Sequence, residues 1–459
     1  MNTKVDAIIN KNKEAMLNTL VELLKIKSLK AEPEKNAPYG KGIRQALDYM
    51  LDKAKEMGFE VIDMDGHAGC IDYGTGEEML GIMVHLDVVP EGIGWKHPPF
   101  SATIEDDKIY ARGAVDDKGP AVSALYALAA IKEAGLKTKR RIRIIAGCDE
   151  ESGWGCMDHY KQHGEVPHLA FSPDGEYPVV NAEKGILRAS FYKKFKSNIR
   201  IHSGSRANVI ANDAVAELPI PYEAAKAALG DLANGHEGFT IDVQAICGGT
   251  KLTVTGKGGH ASMPHLGKNA LQKALELLSK LPLADEDKAT VEYMHSLMKM
   301  EYHAQGFGLD FTDESGRTTF NAGVLYWDEN GISDFSIDMR CPITMKLEDV
   351  LKVLEEKFSH IGLKLYDSEL KDGLFVPADS ELVKSLLKVY ADRTGTNPKP
   401  LAIGGGTYAR AFKNAVAFGC EDLSKKGSIV HMPNEHISIE DMMFNTYCIA
   451  DAIIALACE

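Results

Sequence analysis

The sequence predicts an α/β fold: a mixed, largely parallel central sheet flanked by helices and interrupted by a large α+β insertion. Three observations predict it. Short apolar, β-branched runs alternate with helix-length segments between about 60 and 175. Acids and histidines gather where those runs end, at 85–87, 116–117, 149–151 and 174, the edge where open α/β sheets carry their sites. The alternation changes character after Gly185 and resumes near 378. The chain therefore reads as a discontinuous domain of 1–186 and 378–459, with 187–377 inserted. Its 459 residues exceed what one core usually holds.

The elements follow in order. Residues 3–27 carry Ile8, Ala15, Met16, Leu20, Leu23 and Leu24 at helical spacing. A polar loop spans 31–40, and 43–57 is a second amphipathic helix with Gly58 at its C-terminal cap. Strands are expected at 59–64 and 69–73, then at the apolar run beginning at Gly81. A hairpin turns at Asp106-Asp107, a helix runs from 121 to 134 with Gly135 as its stop, and 141–146 and 168–172 are strands. In the insertion, 187–195, 241–245, 252–255, 323–326 and 335–339 read as strands, and 269–281 and 347–360 as helices. The first pattern returns with a helix at 382–394, a glycine run at 404–406, a strand near 415–418 and a last helix at 439–457.

Composition narrows the function. The chain is 44% hydrophobic and 26% charged, as a globular protein is. Its 52 basic residues against 66 acidic ones give a net charge of −14, which argues against a phosphate-binding or nucleic-acid surface. The first 18 residues lack the apolar segment of a signal peptide, and no run of about 18 apolar residues predicts a membrane span. The eight cysteines show no paired spacing, so they read as thiols in a reducing cytoplasm.

The opening apolar strand, Gly81-Ile82-Met83-Val84-His85-Leu86-Asp87, holds two polar residues that a buried strand should not carry unpaired. Their spacing of two puts them on one face. With Asp116, Asp117, Glu150, Glu151, Asp174 and His431 they form a crowd of carboxylates that would repel without a cation. Two histidines and several carboxylates without cysteine form a ligand set for Zn²⁺ or Mn²⁺. Five ligands suit a pair of ions bridged by one carboxylate.

Five segments in this order carry a resemblance: Val84-His85-Leu86-Asp87-Val88-Val89-Pro90, Ala111-Arg112-Gly113-Ala114-Val115-Asp116-Asp117-Lys118-Gly119-Pro120, Asp149-Glu150-Glu151-Ser152, Ser172-Pro173-Asp174 and His431-Met432-Pro433-Asn434-Glu435. Together they resemble the co-catalytic metallopeptidases, the superfamily of acetylornithine deacetylase, succinyl-diaminopimelate desuccinylase, carboxypeptidase G and aminoacylase. The look is most like the bacterial dipeptidases of the PepV type. The resemblance implies a cytoplasmic hydrolase with two divalent ions, Zn²⁺ or Mn²⁺, acting on dipeptides such as Xaa-His or β-Ala-Xaa. An N-acyl amino-acid deacylase on the same site is the alternative, and a non-catalytic binding protein a further one.

It also implies roles. His85 and Asp174 would hold one ion, Glu151 and His431 the other, and Asp116 would bridge them. Asp87 would hydrogen-bond the His85 ring, and Glu150 would be the general base for a metal-bridging water. In the insertion, a lid by resemblance, His260 in Gly258-Gly259-His260 and Asn208 would stabilise the oxyanion. Arg340 would take the substrate's terminal carboxylate, with backbone N–H groups of Gly404, Gly405, Gly406 and Thr407. The long insertion implies a lid that covers its own site, hence a monomer acting on a small peptide.

Overall fold

The computed structural model describes residues 1–234, 238–422 and 429–459. The chain forms two compact units. One comprises Met1–Asn181, Val376–Leu401 and Gly406–Glu459, the other Ala182–Phe375 and Ala402–Gly405. Residues 402–405, read from the sequence as part of the discontinuous domain, thus pack with the inserted unit.

The first unit is built on a mixed sheet. From one edge its strands run Glu60–Met64, Ala68–Tyr73, Arg141–Gly147, Met79–His85, Leu169–Ser172 and Ala415–Ala417, and Val180–Glu183 then carries the chain out. Met79–His85 lies parallel to both its neighbours, and Leu169–Ser172 is parallel to Ala415–Ala417. The pairs toward the Glu60 edge are antiparallel. Every residue of Met79–His85 is buried, as expected of a strand covered on both faces.

Helices Lys118–Ala134 and Ile439–Ala457 pack together against this sheet. Ser438 caps the second by accepting the Asp441 N–H. The first begins three residues earlier than the sequence predicts. Lys118 is fully buried there, and its Nζ donates to the carbonyls of Leu23 and Ile26, satisfying the end of helix Lys13–Lys25. The predicted helix at 3–27 divides into Thr3–Lys11 and Lys13–Lys25 at Asn12, whose side chain donates to Glu133.

The second unit is an eight-stranded antiparallel sheet, ordered Thr240–Ile246, Gly249–Thr255, Asp213–Leu218, Arg200–Ser203, Thr319–Asp328, Gly331–Cys341, Gly185–Lys194 and Lys364–Lys371. Helices Ala270–Leu278, Asp285–Met298 and Leu347–Ser359 contribute Leu271, Leu275, Met294, Val291, Leu354 and Phe358 to its core. Strand Lys364–Lys371 escaped the sequence reading because it is a charged, mostly solvated edge with little apolar alternation.

Candidate metal centre

The site grows from the carboxyl ends of the parallel strands. Met79–His85 ends on His85, Arg141–Gly147 leads into Glu150 and Glu151, and Leu169–Ser172 leads to Asp174. The turn before helix Lys118–Ala134 supplies Asp116, and the segment before strand His436–Ser438 supplies His431.

These side chains form two groups with one member in common. The ligand atoms of His85, Asp116 and Asp174 lie within 4.8 Å of one another, and so do those of Asp116, Glu151 and His431. Asp116 divides its oxygens between them. Oδ1 is 2.8 Å from His85 Nε2, and Oδ2 is 2.9 Å from His431 Nε2. His85 Nε2 is also 3.6 Å from Asp174 Oδ2, and His431 Nε2 is 3.1 Å from Glu151 Oε1. The structure brings together all five residues that the sequence singled out as ligands, with Asp116 and not Asp117 in the shared place.

The surroundings orient the donors. His85 Nδ1 donates to the main-chain carbonyl of Asp87 at 2.9 Å, which leaves the Nε2 lone pair for the cluster. The Asp87 carboxylate lies farther from that ring, at 3.5 Å. Its hydrogen bonds go elsewhere: Oδ1 accepts the Glu150 N–H at 3.1 Å and Oδ2 the Glu151 N–H at 3.0 Å. Asp87 therefore fixes the His85 tautomer through its backbone, and its side chain braces the turn bearing Glu150 and Glu151. Asp117 accepts the His85 N–H at 2.9 Å. Asp149 ties the far side of the same turn, taking Lys30 Nζ at 2.6 Å and the Gly155 N–H at 3.0 Å.

The electrostatics favour bound cations. Burial and then the charge of Asp116 raise the Glu151 carboxyl to about 7. Burial pushes Glu150 well above its ordinary range, with Glu151 adding to the effect. Burial and Asp116 raise Asp174. Burial alone would lower His431, but the Asp116 and Glu151 carboxylates outweigh it and hold the imidazole at about 11. Carboxylates crowded so that protons must stand in for charge, with two imidazoles aimed among them, suit divalent cations.

Sequence reasoning missed two supports. Glu435 is buried, pairs with Arg112, and accepts the main-chain N–H groups of Val115 and Asp116. Tyr408, also buried, sets its ring edge toward His85 at a centroid distance of 5.9 Å, and its hydroxyl meets Cys156 Sγ at 2.9 Å. Both lie in segments already conspicuous in sequence, but only burial distinguishes them from their neighbours.

In the second unit the other expected residues lie close in the fold. The Asn208 carbonyl accepts the Ala261 N–H at 2.9 Å, and Val209 and His260 form a bridge, so the Asn208 and His260 loops adjoin. His260 Nδ1 accepts the Ser262 N–H at 3.2 Å, which puts the ring proton on Nε2. Arg340 is buried and held by Asp338 through Nε at 2.7 Å and Nη2 at 3.0 Å, while Nη1 donates to the Gly404 carbonyl at 2.8 Å. A Cβ on Gly404 would stand 2.9 Å from that of Ser262. Gly405 packs in this unit, whereas Gly406 and Thr407 belong to the first, where the Thr407 hydroxyl accepts the Ala409 N–H.

The family comparison decides what the centre belongs to. The model of Peptidase family M20/M25/M40 matches residues 81–455. The chain belongs to this family. It is 35% identical over 472 residues to "Putative dipeptidase YtjP" of Bacillus subtilis, covering 100% of both chains. A protein of Staphylococcus epidermidis with the name "Putative dipeptidase" is 34% identical, with 97% of each covered. Among solved structures, aminoacylhistidine dipeptidase of Vibrio alginolyticus aligns with a TM-score of 0.61 at 16% identity, covering 97% of both chains. Human carnosine dipeptidase 1 aligns at 0.60 and 15% identity, covering 99% of this chain and 98% of that one. At these identities the two structures share the fold with this M20/M25/M40 chain. Among the described residues, no helix is long and apolar enough to cross a membrane.

Proposed function

We propose that this chain is a metal-dependent dipeptidase that uses two divalent ions, Zn²⁺ or Mn²⁺, and a Glu150 base. The observation that carries the reading is the pair of ligand groups sharing Asp116, with one oxygen toward each histidine. His85 and Asp174 would hold one ion, Glu151 and His431 the other, with Asp116 common to both. The ions supply polarisation of the scissile carbonyl and acidification of water. The protein's own groups do the rest. Glu150 is half-buried on the turn beside Glu151; with the cations bound its carboxylate would be ionised, take a proton from the attacking water and return it to the leaving nitrogen. Asp87 holds that turn through two main-chain N–H groups.

The inserted unit serves as the lid in this reading. His260, with its proton on Nε2, and Asn208 stabilise the oxyanion. Arg340, whose Nε and Nη2 donate to Asp338 and whose Nη1 donates to the Gly404 carbonyl, would receive the dipeptide carboxylate on its remaining N–H groups, with the 404–407 backbone assisting. A lid within the chain makes a monomer catalytically complete. Eight free cysteines fit a cytoplasmic location.

The test is a panel on metal-stripped protein reloaded with Zn²⁺ or Mn²⁺. Dipeptides including Xaa-His and β-Ala-Xaa are set against N-acetyl and N-succinyl amino acids. Dipeptides should turn over and acyl amino acids should not. Preference for the acyl compounds would reassign the chain as a deacylase, and no turnover of either would end the reading.

A further inference from the structure

Glu435 has no place in the ligand set or in the proton path, yet it is among the most buried charged groups of the first unit. The chain places it with care. Strand His436–Ser438 pairs antiparallel with Lys108–Tyr110, in the register His436 to Tyr110. The ladder continues one step, where the Ala111 N–H donates to the Glu435 carbonyl at 3.1 Å. Glu435 is thereby set against the turn that leads to Asp116.

Both of its oxygens are used. Oε2 takes Arg112 Nη1 at 2.5 Å. Oε1 accepts two consecutive main-chain N–H groups, Val115 at 2.9 Å and Asp116 at 3.3 Å. Arg112 lies with its guanidinium 5.4 Å from the Trp95 ring, and Nη2 faces the carbonyls of Pro90 and Glu91 at 3.4 Å. A buried carboxylate held by an arginine and spent on two backbone donors fixes the peptide it grips. The gripped peptide belongs to the one residue shared by both ligand groups.

We propose that Glu435 is a positioning residue for the bridging carboxylate. Held by Arg112, it fixes the Val115–Asp116 backbone so that one Asp116 oxygen faces each half of the centre. His431, four residues earlier on the same strap, joins the second group directly. One short segment thus both supplies a ligand and aligns the bridge, so the two ions bind interdependently. The inference rests on the two-ion reading above.

The test is calorimetric titration of metal-stripped protein with Mn²⁺, with secondary structure checked by circular dichroism. Native protein should take up two ions. Glu435→Ala should weaken uptake of at least one ion tenfold or more, whereas Glu435→Gln, which keeps an acceptor for the two N–H groups, should recover most of that loss. Arg112→Met should fall between them. A folded Glu435→Ala that binds two ions within threefold of native affinity would overturn the proposal. If that variant does not fold, Arg112→Met binding both ions as native protein does would overturn it equally. A lowered melting temperature with unchanged affinities would mark a merely structural ion pair. Native protein that binds a single ion would remove the two-ion reading and this proposal together, whereas native-like binding in Glu435→Ala or Arg112→Met would remove this proposal alone.

Discussion

At the scale of single residues, the centre is a problem in keeping negative charge buried without cost. Asp116 faces an imidazole on each side, whereas Glu150 has no hydrogen-bonded cation among the described residues and is raised by burial, with neighbouring carboxylates adding to the effect. That difference is the basis for proposing Asp116 as a ligand and Glu150 as the base. Glu150→Ala should lower kcat by about 10²–10⁴-fold, the usual worth of a general base, while two-ion uptake by calorimetry stays native. Turnover at the native rate would remove Glu150 from the mechanism. Asp87→Ala should act differently, through metal. It frees the two N–H groups that set the Glu150–Glu151 turn, and loss of such an outer partner typically costs 10–100-fold in metal affinity. Activity should recover in part at high metal concentration, an outcome that a direct catalytic role would not give. The sequence pointed to the five residues that the structure brings together because histidines and acids at the ends of apolar strands demand partners. It did not reveal which atom of Asp87 meets His85, because that depends on how the backbone turns after the strand.

At the scale of elements, the helix at Lys118–Ala134 governs how the Asp116 turn is held. A Cβ on Gly119 would stand 2.2 Å from the Ala114 carbonyl oxygen. Neither atom can yield without moving the turn or the helix. Gly119→Ala should therefore destabilise the protein by about 1–3 kcal/mol, the usual cost of overpacking, read from denaturant midpoints. It should also weaken metal uptake, since Val115 and Asp116 lie between the two clashing positions. The helix itself was legible, because fourteen of its residues from Lys118 to Ala134 are buried and nearly all of those are small or apolar. Its start was not, because Lys118 looks like a solvated residue and is buried only by the tertiary partners Leu23 and Ile26. Strand Lys364–Lys371 failed for the converse reason, since an edge strand needs no apolar face to be held by a neighbour.

At the scale of the whole molecule, the centre stores a pH dependence whose sign can be worked out. In metal-free protein, the Glu151 carboxyl at about 7 holds a proton that its unfolded counterpart, near 4.5, has already lost. The folded state binds more protons across that interval, so stability falls as pH rises through it. His431 at about 11, against 6.5 unfolded, extends the same slope above neutrality. Asp116, held below its ordinary 3.8, opposes the trend only in acid, and Lys118, lowered by burial to about 7, opposes it above neutrality, where His85 and His431, both raised, outweigh it. The melting temperature of stripped protein should therefore decline between pH 6 and pH 9. Bound ions replace those protons, and ligands shed protons to receive them, so metal affinity should rise over the same range. An ion at 100 times its Kd stabilises by about 2.7 kcal/mol, and that gain should be larger at pH 8 than at pH 6. Scanning calorimetry with and without Mn²⁺ tests both halves. A stripped protein whose melting temperature is flat or rises from pH 6 to pH 9 would show that the crowded carboxylates are not balanced by protons, and would remove the electrostatic case for bound cations.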